Sequence, residues 1–230
     1  MFEDIGGESN TDIKTYRERA RTITRDVFFR ETVWAIWVAG KSRVAAESFL
    51  NRALQKGLTW DFQEIAAWNE SQQTQFMESL HGWITSRDRP HHRPVPRGAV
   101  GRWNSLFLIA RELAKYPTEQ AFRDEFFGGK TESILLDKSD IQRLANRKIP
   151  YLKEVTAHFI IRNMGGEAIK VDRWVKEFLS YYSLSKDRLE QLLHKAAIPL
   201  GLFDAVLWSY CEMFVGEVKA FLRYFNNQAF

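Results

Sequence analysis

The stretch Arg147–Phe178, RKIPYLKEVTAHFIIRNMGGEAIKVDRWVKEF, decides how this chain is read. It holds two helical runs parted by a proline, then a double glycine, then an aspartate that opens a third run. Pro150 disfavours helical geometry at Ile149, so the helix expected over KSDIQRLANR, with Ser139 or Asp140 near its N-cap, ends before it. EVTAHFIIRNM reads as a second helix, and Gly165 and Gly166 stop it. After a few extended residues Asp172 stands where its side chain can accept from the first-turn N–H groups of DRWVKEFLSYY. An N-cap alone is a sufficient reason for an aspartate there. The neighbouring segments bear on whether it has a second role.

Apolar residues recur at helical spacing almost throughout and alternate at strand spacing nowhere, so the expected class is all-α. Residues Arg17 to Gln55 read as one or two helices, and DVFFRETVWAIWVAG carries a broad apolar face (Phe28, Val33, Trp34, Ile36, Trp37) with Gly40 as its stop. TWDFQEIAAWN takes Thr59 or Asp61 as N-cap, and SQQTQFMESLHGWI continues the pattern. Pro90, Pro94 and Pro96 forbid a continuous helix through TSRDRPHHRPVPRGAVGR, which reads as a loop exposing Arg87, Arg89, Arg93, Arg97 and Arg102. Helices resume with WNSLFLIARELAKY and TEQAFRDEFF, and FGGK closes that portion. No internal repeat is present.

A chain of 230 residues that is 45% hydrophobic can bury a full core as one domain or two small lobes. Its formal charge of +4 mildly favours an anionic partner. With Cys211 as the one cysteine, the chain has no disulfide framework, no thiolate zinc site and no cysteine-held iron–sulfur cluster. His81, His91 and His92 offer no standard ligand spacing, so no metal is expected. The start is acidic and polar, and no run approaches the roughly 20 apolar residues that span a bilayer. The expectation is a soluble cytoplasmic protein with no membrane segment.

Ile149-Pro150 followed by EVTAHFIIRN, with Thr156 and Ala157 in its first turn, and by Asp172 resembles the signature of the helix-hairpin-helix DNA glycosylases. The wording TAHFIIRNMGGE with the later Asp172-Arg173 is closest to the archaeal and bacterial 8-oxoguanine glycosylases. FFRETVWAIWVAGKSRVAAESFL resembles the first helix pair of that group, and HKAAIPLGLFDAVLWSYC its C-terminal helix. The resemblance implies two helical lobes with a cleft, residues 1–60 and 166–230 forming one and 61–165 the other, with the motif at about 138–164. It implies Asp172 as the catalytic residue and a base pocket drawn from Trp208, Phe203 and Asp204, then Trp34 and Trp37. DNA contacts fall to the hairpin residues Pro150, Tyr151, Leu152 and Lys153, to Lys148, and to Arg93 and Arg97 of the loop. The partner is double-stranded DNA carrying a damaged or modified base, read by a monomer without a cofactor.

Cleaving an N-glycosidic bond builds positive charge on the sugar, and a carboxylate beside C1′ can stabilise it and orient water. A base inside a duplex must first be extruded into a pocket with stacking faces. Two departures from the family pattern bear on this. Tyr151 and Lys153 stand where family hairpins carry glycines that meet a phosphate. Val155, two residues before Ala157, stands where strand-cleaving members carry the lysine that forms a Schiff base. The expected activity is therefore monofunctional base removal, in base excision repair or against modified phage DNA. A catalytically silent DNA-binding module and a bifunctional enzyme using Lys153 are the alternatives.

Overall fold

The computed structural model describes residues 22–38, 43–88 and 97–213, without the side chains of 43–45, 81–88, 97–100, 209–210 and 212–213. Every regular element among the described residues is helical. They divide into two compact units, one of Thr24–Gly129 with Leu144–Thr156, the other of Lys130–Arg143 with the chain from Ala157 onward. The grouping differs from the lobes expected above: residues 24–60 fold with 61–129, and 157–165 fold with the C-terminal segment.

The first of these units holds α1 (Arg25–Val38), α2 (Arg43–Gln55), α3 (Phe62–Ala67), α4 (Glu70–Asp88), α5 (Arg97–Ala114) and α6 (Glu119–Phe127). The apolar face of α1 explains why it belongs here, since α1 packs on α5 and α2. Phe28 meets Phe122, Phe126 and Phe127 in edge and tilted contacts. Asp61 caps α3, accepting from the N–H of Gln63 and of Glu64 at 2.8 and 3.3 Å. The stop expected at Gly40 lies outside the described residues. The arginine-rich segment is more helical than expected: α4 runs through Asp88 and α5 begins at Arg97, so Arg87, Arg97 and Arg102 are helical. Pro90, Pro94 and Pro96 all fall within 89–96, outside the described residues.

The second unit contains a 3-10 turn (Ser133–Leu135), α7 (Lys138–Ala145), α8 (Glu154–Asn163), α9 (Arg173–Tyr181), α10 (Lys186–Lys195) and α11 (Leu200–Met213), with the chain crossing between units inside α7 and α8. Asp137, rather than Ser139 or Asp140, caps α7: its Oδ1 accepts from the Ser139 N–H at 2.7 Å, while Asp140 Oδ2 accepts from the Asp137 N–H at 2.9 Å. This reciprocal capping pair carries an aspartate at the third helical position. Asp140 is fully buried and also takes the Lys130 ammonium at 2.6 Å. Ile169, Val175, Leu189, Leu193, Leu200, Leu207 and Cys211 form the core between α9, α10 and α11.

The break between α7 and α8 is a tight turn in which the Leu152 N–H donates to the Ile149 carbonyl at 3.1 Å. Pro150 takes the second position and Tyr151 the third, with Tyr151 at φ 65°. A type II turn wants glycine there, and a left-handed tyrosine costs about 1–2 kcal/mol. Packing offsets that cost. Ile149 and Leu152 are buried, and the Tyr151 hydroxyl lies only 2.8 Å from where a Cβ on Gly101 would stand. Gly101 is thus required by the close approach of the tyrosine to α5.

At the other end of α8, Gly165 has φ 92° and the Gly166 N–H donates to the Ile161 carbonyl at 2.8 Å. A Cβ on Gly166 would stand 2.6 Å from Ile161 Cγ2 and 2.9 Å from Leu136 Cβ. Neither neighbour is the free end of a long side chain. Gly166→Ala is therefore expected to destabilise the protein by about 1–3 kcal/mol, read as a lower urea midpoint with the slope unchanged.

Candidate functional site

Asp172 precedes α9 in extended geometry, and its two carboxylate oxygens have different partners. Oδ1 accepts from the N–H groups of Trp174 and Val175 at 2.9 and 3.3 Å, the cap that the sequence leads one to expect. Oδ2 lies 2.9 Å from the Lys170 ammonium. Lys170 is itself nearly buried, and its Nζ sits 4.5 Å from the centroid of the Phe159 ring. Such a contact over an aromatic face favours a cation.

Phe159 lies on α8, whose apolar stripe Ala157, Phe159, Ile160 and Ile161 faces inward. Arg162 continues that stripe and is buried with it. Its guanidinium carbon stands 4.1 Å from the Phe159 centroid, and its Nη1 donates to Asp204 Oδ2 at 2.9 Å. Nε and Nη2 donate to Asn163 Oδ1 at 3.1 and 2.8 Å. Asp204, on α11, is 2% exposed. Burial pushes its carboxyl up from the ordinary range, opposed by the charges of Arg162 and Lys170 and reinforced by Asp172.

One turn beyond Asp204, the half-exposed Trp208 meets Phe159 edge-on at 6.0 Å. Phe203 packs edge-on against Phe178 at 5.2 Å and so belongs to the wall of the α9–α11 core. Cys211 lies buried below, its thiol pushed up to about 12 by burial and then by Asp172 and Glu177. A thiol so held is inert.

Of the residues singled out in the sequence, Asp172, Phe203, Asp204 and Trp208 thus fall in one compact unit. Sequence reasoning missed Phe159, Arg162 and Lys170, which link them. The signal for Arg162 was its place inside the apolar run FIIRNM, where an arginine is buried only with a partner. Trp34 and Trp37 belong to the other unit, where Trp34 is half-buried and Trp37 is sealed in the core, stacked on Phe49 at 4.7 Å and against Trp103 at 4.3 Å. Among the turn residues, Lys148, Pro150 and Lys153 are exposed, Tyr151 is half-buried and Leu152 is fully buried. Arg93, His91 and His92 lie outside the described residues, as do the side chains of Arg97 and His81. Among the described residues no group of His, Cys, Asp and Glu is placed to hold a metal ion, and no helix is long and apolar enough to cross a membrane.

A carboxylate held at both oxygens can face developing positive charge without reorganising. Comparison with known proteins finds no matching family model, no matching curated protein and no matching solved structure.

The charge network makes two stability predictions that urea unfolding checks. Arg162→Met leaves Asp204 buried and unpaired and is expected to cost about 3–5 kcal/mol at neutral pH. That loss shrinks on acidification: a carboxyl whose folded pKa is raised binds its proton more readily in the fold than in the unfolded chain. Asp172→Asn keeps a capping oxygen but leaves the nearly buried Lys170 without its anion and is expected to cost about 1 kcal/mol, whereas Asp172→Ala loses the cap as well and costs about 2 kcal/mol.

Proposed function

We propose that this chain is a monofunctional DNA glycosylase that hydrolyses the N-glycosidic bond of a flipped-out damaged or modified base. The observation that carries this reading is the carboxylate of Asp172, fixed at the start of α9 by the helix N–H groups on one oxygen and by Lys170 on the other. In this reading the break between α7 and α8 is the hairpin of a helix-hairpin-helix motif. Exposed Lys148 and Lys153 supply phosphate contacts, with the backbone turn at Pro150 and Tyr151 fixing their register.

The chemistry assigns each group a part. Trp208 offers a stacking face to the extruded base, and the buried Arg162–Asp204 pair holds α11, and so the indole, in place. As the C1′–N bond lengthens, the bonding pair leaves with the base and Asp172 faces the positive charge that develops on the sugar. Water then adds to C1′, its proton passing to the departing base, and an abasic site remains. Val155 is 59% exposed and offers no amine, so the strand is expected to stay intact. The reading places the protein in base excision repair or in defence against modified foreign DNA, acting as a cytoplasmic monomer.

The test is incubation with duplexes that carry a panel of oxidised, alkylated, deaminated and enzymatically modified bases, with and without hot alkali. The expected outcome is strand cleavage at one class of base only after alkali, and no adduct on borohydride treatment. Cleavage without alkali together with an adduct lost in Lys153→Ala would favour the bifunctional alternative. Tight duplex binding without release of any base would favour the silent binding module.

A further inference from the structure

Lys170 had no role in the sequence reading, yet its ammonium is the group nearest to Asp172 from outside α9. The segment from Gly166 to Val171 delivers it: Ile169 is buried in the core, Lys170 follows, and the Asp172 N–H donates back to the Lys170 carbonyl at 2.8 Å. That backbone contact ties the two residues into one turn. The lysine stem is buried rather than solvated, and a long flexible side chain buried in one place has lost its rotamer freedom. Something must offset that loss, and the contacts present are the Phe159 ring face and the Asp172 Oδ2 oxygen.

We propose that Lys170 is a positioning residue for Asp172, holding Oδ2 at 2.9 Å while the α9 N–H groups hold Oδ1, so that the carboxylate is presented to the substrate in a single orientation. The inference rests on the glycosylase reading above. Asp172 has about four lone-pair sites, of which the cap and the lysine take up to three. The one that remains, on Oδ2, is aimed by the lysine. Because Phe159 also meets Trp208, the lysine connects the carboxylate that meets the sugar with the indole offered to the base.

The experiment compares wild type with Lys170→Met, Lys170→Gln and Lys170→Arg in single-turnover and steady-state assays on the duplex that wild type cleaves. For Met and Gln, kcat is expected to fall by about 10- to 100-fold with KM little changed. Arg should restore most of the loss. The carboxyl carbon of Asp172, followed by NMR in the free protein at one fixed pH, should give a single sharp resonance in wild type and a displaced, broadened one in Gln. Wild-type kcat in both neutral variants would overturn the role of Lys170, as would an unchanged carboxyl resonance. A wild type that releases no base from any duplex overturns the glycosylase reading instead, and the carboxyl resonance still decides whether Lys170 holds the carboxylate.

Discussion

The arrangement around Asp172 depends on one interaction, the ion pair between Arg162 and Asp204, 2.9 Å apart with side chains only 4% and 2% exposed. Burying two charges is costly, and the pair is tolerated only with good geometry and with the remaining donors satisfied. Both conditions are met, since Asn163 takes the other guanidinium nitrogens and the Phe159 ring covers the guanidinium face. The pair fixes α8 against α11 in one register. From that register the rest follows: Trp208 stands one turn beyond Asp204, Phe159 receives Lys170 on its face, and Lys170 receives Asp172.

On the proposed mechanism, Asp172 serves fold and chemistry together. Its Oδ1 satisfies two N–H groups that α9 would otherwise leave without a partner. Those same N–H groups and the helix dipole favour the negative charge that the proposed reaction uses. An N-cap reading and a catalytic reading are therefore compatible, because the cap supplies the orientation on which the chemistry depends. A carboxylate on a mobile loop would have to be ordered at the moment of reaction; this one is ordered by folding.

What the sequence made legible was local. Helical spacing announced an all-helical chain, Asp61 and Asp172 announced caps because a cap is a contact with the next three residues, and Pro150 announced a break. The cap of α7 was displaced by two or three residues because Asp137 and Asp140 share that duty, and either looks sufficient in isolation. Contacts distant along the chain left no local trace. Arg162 and Asp204 are 42 residues apart, and only the oddity of an arginine in an apolar run hinted at a partner. The burial of Trp37 depends on Phe49 and Trp103 arriving from other helices, and the left-handed backbone of Tyr151 depends on Gly101, far away on α5. For the same reason α1 joined the unit of α5 and α2: its apolar face identified a core helix without saying which core.

The central claim is that the Asp172 charge, and not merely its capping oxygen, releases the base. The single-turnover rate of Asp172→Asn on the duplex that wild type cleaves tests it most directly, because asparagine keeps an acceptor for the α9 N–H groups and lacks the charge. The account predicts unchanged duplex affinity and a thermal midpoint lowered only by the loss of the Lys170 pair, with a rate lower by about 100-fold or more. A rate equal to that of wild type would contradict it.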